Sequence, residues 1–493
     1  MDSALRERRS IIRDRSGILY EATVTASEGG VTEAAQPYTG GHSRNLHIRL
    51  AAIERAVVYV AVFLAPYATL RFSDLFFTFS DFFFCLSLFL LLISGRILNK
   101  PLEQATTLWL VAFVLLFVGM MIGSLFHNSP DRGLIVTAQY LFAYLFLMMI
   151  LVRNDPKEAY RLAAIFLASI ILIDIHGIFT FYAVGYVPGE GRGVVTGGKR
   201  LATVLRNPNL AAAMNGLTMP ILLFFWSSGR LKSYLALPIV ALFIVTVVLT
   251  SSNSGLFVMA ICLTVFVAFI STPRLLLRLT LGAAILLGAL ALFGSKDMLP
   301  RAFQTRVLDA ISSGDISEAG TFVSRAALME EAVQMISDEQ IWFVGVGADQ
   351  FRERSVQTAP VHNLYLLLWV EGGLLALVGW MLFSGVAVLL AVGIRRDGGD
   401  KHVLAAMVTT VIVFLTIALF NPHMYARYWT IPVFLCLGLG LAQLRRAIPT
   451  RPGGSRARYV QHKTQTPIRS ATKVGQKSVL HRISKVGEDR RMK

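Results

Sequence analysis

Charge is what this chain has least of: Asp, Glu, Lys and Arg make up 16% of its 493 residues. Hydrophobic residues make up 55%, and mean hydropathy is +0.59. That balance excludes a water-soluble enzyme. Cysteine is nearly absent, and Cys85, Cys262 and Cys436 all lie inside apolar runs, so they give no sign of a disulfide framework or a metal site. There is no H-E-x-x-H, no P-loop, no G-x-S-x-G and no acidic pair resembling a nucleotide-sugar metal site. These absences point away from a metalloprotease, an ATPase or a cytoplasm-facing sugar-nucleotide enzyme. The first 48 residues mix both charge signs and hold no apolar segment after a basic start, so no cleavable signal peptide is expected.

What is present is a series of apolar runs. A membrane span needs about 20 mostly apolar residues. That ruler gives about twelve candidates: 50–70, 75–95, 106–126, 133–152, 160–184, 208–227, 233–251, 255–271, 275–294, 372–393, 403–420 and 428–444. The fold class expected is an all-α polytopic membrane protein. Its segments are a disordered N-terminal tail (1–48), nine transmembrane helices (49–294), a large, partly helical loop (295–361), three more helices (362–445) and a disordered basic tail (446–493). Splitting 233–271 in two rests on the polar run Ser251-Ser252-Asn253-Ser254.

Lys and Arg set the orientation. With the N-terminus inside, every short inner loop is basic: Arg96 and Lys100; Arg153, Lys157 and Arg161; Arg230 and Lys232; Arg274 and Arg278; Arg395, Arg396 and Lys401. Both termini then face the cytoplasm. From Arg445 onward fourteen basic residues meet two acidic ones, placing +12 of the net +17 in the tail. Anionic lipid and nucleic acid are the two partners such a tail suits, and the lack of aromatic interleaving favours lipid.

Two outer segments keep positive charge against the bias. Residues 185–207 hold Arg192, Lys199, Arg200 and Arg206, and residues 295–361 hold Lys296, Arg301, Arg306, Arg325, Arg352 and Arg354. Anion binding is the simplest use, although long loops translocate whatever their charge. Within the second segment, 324–336 reads as an amphipathic helix with Leu328, Ala332, Met335 and Ile336 on one face. Residues Trp342 to Gly347 read as an apolar stretch ending in a turn. At its end, if the helix includes it, His362 shares a face with Tyr365, Leu366 and Trp369. A histidine there suits a general base near neutral pH, and loop arginines suit a phosphate leaving group. A hydrogen-bonded interfacial histidine is the ordinary alternative. Asp174 and His176 form a second polar pair near an outer span end, either lining a substrate cavity or simply interfacial. Glu54 and Arg55 read as an inner-interface pair.

The order Arg325 … Gly345-Val-Gly347 … His362-Asn363-x-Tyr365-Leu366 … Glu371-x-Gly373, with the large loop before the last three spans, resembles the O-antigen ligase and polymerase superfamily. Gly197-Gly198-Lys-Arg200 through Arg206-Asn207-Pro208-Asn209 is similar to the family's Arg-to-Asn-Pro-Asn segment. The resemblance covers roughly 75–445. It implies transfer of a glycan from undecaprenyl diphosphate to an acceptor hydroxyl at the periplasmic face of the bacterial inner membrane. Under it, His362 takes or orients the acceptor proton, and Glu371 supports the His-bearing helix or competes with it as base. Arg325 and Arg200 contact the diphosphate, Arg206 and Arg306 are further candidates, and Asn363 and Tyr365 are supporting residues. No cofactor and no metal are implied. The partners are the lipid-linked donor, a glycan or lipid-linked acceptor, membrane lipids and other polysaccharide-export proteins, with no nucleic acid. Members often carry Ser-Arg where this chain has Ser252-Asn253, which tilts the reading toward a polymerase over a ligase; the transfer itself is read as inverting and metal-independent. From other classes, a secondary transporter with an Asp174–His176 proton relay and a scaffold remain as rivals, but no matching halves are found.

Overall fold

The computed structural model describes residues 7–13, 19–27, 30–37, 41–72, 77–188, 193–270, 301–308 and 322–447, with residues 273, 274, 277 and 281. The ninth expected span falls outside them except for 277 and 281, and the basic tail from 448 falls outside entirely.

The described residues among the first 48 depart from the expected disordered tail. β1 (Glu7–Arg13), β2 (Leu19–Ser27) and β3 (Gly30–Pro37) form an antiparallel sheet in chain order, with Ile11 opposite Glu21 and Val24 opposite Glu33. Pairs such as Ile11-Ile12 and the Thr-Val-Thr of β2 supply β-propensity that the mixed charge masks.

The rest is helical: α1 (Gly41–Leu64), α2 (Phe79–Ile93), α3 (Thr106–Phe126), α4 (Pro130–Leu151, with a π-helical turn at Phe142–Phe146), α5 (Pro156–Ala183), α6 (Pro208–Ser227), α7 (Ser233–Thr250), α8 (Asn253–Ile270), α9 (Phe322–Asp338), α10 (Gln350–Arg354), α11 (Leu364–Arg396), α12 (Lys401–Ala418) and α13 (Arg427–Ala447). Among the described residues, eight helices are long and apolar enough to cross a membrane: α3 through α8, α11 and α12. The chain is a multi-pass α-helical membrane protein. Local sequence sets the ends. Thr78 and Asp81 make a capping box on α2, while Asn207 caps α6 just before Pro208. The expected turn after α7 is present, with Ser251 left-handed (φ 50) and Ser252 Oγ accepting from Gly255 N at 3.2 Å.

One end of the bundle is held by a buried ion cluster. Glu54 accepts from Ser87 Oγ at 2.7 Å and from Arg153 Nη2 at 2.6 Å, with Arg96 at 3.7 Å. Of the Glu54 and Arg55 read as interfacial neighbours, only Glu54 turns into this cluster, because adjacent helical residues diverge and Arg55 is exposed. Arg445 adds a bond to Glu103 at this end.

At the other end α11 starts eight residues earlier than the expected span and breaks at Gly373 (φ 66, ψ −170). The loop fills the break. Val346 N donates to Val370 O at 2.8 Å, Gly347 N to Glu371 O at 2.9 Å, and Leu374 N to Trp342 O at 2.9 Å. A Cβ on Gly373 would stand 2.1 Å from Phe343 O, and one on Gly123 of α3 would stand 2.7 Å from Glu371 O. Only glycine permits this crossing of α3, loop and α11.

Candidate functional site

A cleft of about 290 Å³ opens at the end opposite the Glu54 cluster. Its polar lining is Asn209, Asn253, Ser254, Arg306, Arg325 and His362; its apolar lining is Phe257, Phe322, Met329, Leu419 and Phe420. No Asp or Glu is among these residues. Four helices direct their N-termini here: α6 through Asn209, α8 through Asn253 and Ser254, α9 through Phe322 and Arg325, and α11, which begins two residues after His362. Helix starts carry partial positive charge from the aligned peptide dipoles even where side chains such as Asn207 and Asn363 cap them, and this charge adds to that of the arginines.

His362 is not on the helix, contrary to the face expected with Tyr365, Leu366 and Trp369. Asn363 stops it, because its Oδ1 accepts from Tyr365 N at 3.0 Å and Leu366 N at 3.2 Å and caps α11. The imidazole instead lies 3.0 Å through Nδ1 from Pro360 O. A proton on Nδ1 makes that bond and leaves the Nε2 lone pair free. Burial, and then the Arg325 charge, hold His362 below the usual 6.5.

Arg325 sits on the amphipathic helix expected from the sequence, whose buried side is Leu328, Ala332 and Ile336. Burial and the nearby Arg306 charge lower its pKa. Arg306 is placed by Asn253, whose Nδ2 donates to the Arg306 carbonyl at 3.0 Å. Arg306 Nε and Asn253 Oδ1 are buried and have no hydrogen-bond partner among the described residues. Arg200 flanks the cleft without lining it, and burial followed by the charges of Arg306 and Arg325 lowers its pKa to about 10. Guanidiniums clustered with no carboxylate among the described lining residues repel one another, and a bound anion relieves that repulsion.

Other expected residues lie elsewhere. Arg206 is exposed in a left-handed conformation (φ 54) and does not line the cleft. Glu371 is buried around a separate, small cavity with Asp349, His423 and Tyr425. Its carboxylate accepts from the Asp349 and Phe351 N–H groups, so it braces the loop rather than sharing the cleft with His362. Tyr365 Oη donates to Leu415 O at 3.2 Å, tying α11 to α12. Asp174 is buried against Asn215 Nδ2 at 3.2 Å, whereas His176, two residues on, is exposed, so the two make no relay pair. Arg192 and Lys296 lie outside the described residues.

The sequence reading missed the polar network around Asp349. Arg132 Nε donates to Asp349 Oδ2 at 2.9 Å, Arg352 reaches the same oxygen at 3.1 Å, and Tyr425 Oη lies 3.1 Å from His423 Nδ1. Burial lowers His423 to about 4 and raises Tyr425 to about 12. Arg132 and Asp349 are 217 residues apart, a pairing no local pattern reveals.

Residues 238–381 match the O-antigen ligase family model. The match spans α7, α8, the loop and the break in α11, and includes every cleft residue except Asn209, Leu419 and Phe420. It supports placing the chain in the O-antigen ligase and polymerase superfamily, with a glycosyl-transfer activity of that general type. No curated protein matches the chain.

Proposed function

We propose that the chain transfers a glycan from undecaprenyl diphosphate to an acceptor hydroxyl, with inversion and without a metal, and that it lengthens a surface polysaccharide as a polymerase. The observation that carries this reading is the cleft: two arginines and four helix N-termini around one space, with no carboxylate among the described residues that line it and an apolar wall beside them. Such a lining suits an amphiphile with an anionic head. A histidine with a free Nε2 supplies the remaining need, a base.

In the proposed step, His362 Nε2 takes the proton of the acceptor hydroxyl as its oxygen bonds the anomeric carbon. The bond from that carbon to the phosphate oxygen breaks, and its electron pair leaves on the diphosphate. Arg325 and Arg306 stabilise the leaving charge. Attack opposite the leaving group inverts the anomeric centre.

The proposed setting is the bacterial inner membrane, with the cleft facing the periplasm and both termini in the cytoplasm. Support comes from the bundle's opposite end, where Arg96, Arg153 and Arg445 gather beside the basic short loops. The purified chain, given undecaprenyl-diphosphate-linked glycan extracted from a strain lacking the gene, should lengthen it, and should do so in EDTA. Failure to consume that donor would overturn the reading.

A further inference from the structure

Arg200 and Asn209 divide their duties in a way the charge pattern alone does not suggest. Arg200 Nε donates to Thr250 O at 2.8 Å, and Nη2 donates to Asn209 Oδ1 at 3.0 Å. The first bond places a cation on the last carbonyls of α7, a favourable position whether or not an anion binds. The second fixes the Asn209 amide. With Oδ1 held by a guanidinium, the side chain presents only its NH₂ donors elsewhere, and among the described residues nothing accepts from Nδ2. Asn209 lines the cleft; Arg200 does not. Asn209 is itself anchored, because its backbone N donates to the Asn207 cap at 2.9 Å in the first turn of α6.

We infer that Asn209 Nδ2 is a direct contact to the diphosphate, and that Arg200 is a positioning residue that acts through it. The inference rests on the lipid-diphosphate reading above. It assigns a ligand contact to a neutral side chain and withdraws one from the arginine that charge alone would select. Arg200 stays where it is needed twice, as the strut joining the end of α7 to the start of α6 and as the group that turns the amide. An amide held this way keeps its oxygen turned to the guanidinium and its NH₂ donors available elsewhere, which favours a phosphoryl oxygen as their partner.

The test is a double-mutant cycle on binding of undecaprenyl diphosphate to the purified full chain in lipid nanodiscs. Arg200→Met and Asn209→Ala should each weaken binding about tenfold, as expected for one lost hydrogen bond to a charged group. The double variant should bind no more weakly than either single one, with melting temperatures near wild type. A double variant about a hundredfold weaker than wild type would mean that Arg200 reaches the ligand independently, and the inference would be lost. If Arg200→Met does not fold, Arg200→Lys enters the same cycle with the same two outcomes. Wild-type protein that does not bind this lipid at all would instead remove the diphosphate reading itself, and the inference with it.

Discussion

Asn253 Nδ2 holds the main-chain carbonyl of Arg306 at 3.0 Å, tying the first residue of α8 to the segment that precedes α9. Where the family resemblance leads one to expect an arginine, this chain has an asparagine that positions an arginine from elsewhere. The cleft keeps a positive charge through Arg306 in place of one at position 253. Asn253→Ala should lower kcat/KM for the lipid-linked donor about fivefold to tenfold, the worth of one buried hydrogen bond. Arg306→Gln should cost more, since it removes the charge itself. Equal rates for wild type and both variants would take this segment out of the site.

His362 should set the acid limb of the pH profile. Its pKa lies below 6.5, so at pH 7 it is the neutral base, and activity should fall only as pH drops below that value. Arg325→Gln removes a nearby positive charge that disfavours the imidazolium, so the limb should move to higher pH in that variant. His362→Ala should lose about two to four orders of magnitude in rate while keeping normal abundance. A profile that does not respond to Arg325→Gln would separate the two residues.

Arg325→Lys keeps the charge but loses the planar fork, and transfer should fall substantially. Activity of the wild-type protein should persist in EDTA. Loss of turnover on chelation, with recovery on adding magnesium, would show that arginines alone do not stabilise the leaving group.

Topology can be read with a reporter active only outside the cytoplasm. Fusion after residue 340 should be active, and fusions after 155 and 397 should be silent. An inactive fusion at 340 would turn the cleft toward the cytoplasm, where the proposed donor is not presented.

Deletion of the gene separates polymerase from ligase. A missing polymerase leaves single repeats on the carrier or acceptor, and a missing ligase strands finished polymer on the carrier beside unsubstituted acceptor. The first outcome is expected here; the second would make the chain a ligase.

The sequence made the helices legible because length and apolarity alone define them, and α3 to α8 match their expected spans within a few residues. It also brought forward His362, Arg325 and Arg306, since charge kept on a long segment between apolar runs stands out. It misplaced what depends on one residue's hydrogen bond. Asn363 as a cap moved His362 off the helix and begins α11 at 364 rather than 372, and Gly373 breaks it where an unbroken span was expected. Asn209 and Asn253 line the cleft without a charge to mark them in the sequence, and Glu371, read there as a support of the His-bearing helix or a competing base, lies outside the cleft lining against the loop, through contacts that spacing does not reveal.

The break in α11 also separates two duties within one helix. Of its 33 residues, Gly373–Arg396 contribute 24, which at about 1.5 Å each reach about 36 Å, enough for a hydrocarbon layer of about 30 Å. Crossing the bilayer therefore makes no demand on Leu364–Gly372. Those nine residues are surplus length, held to the loop by Val346 and Gly347. Substitutions that reshape the histidine's surroundings there leave the helix's anchorage in the membrane untouched.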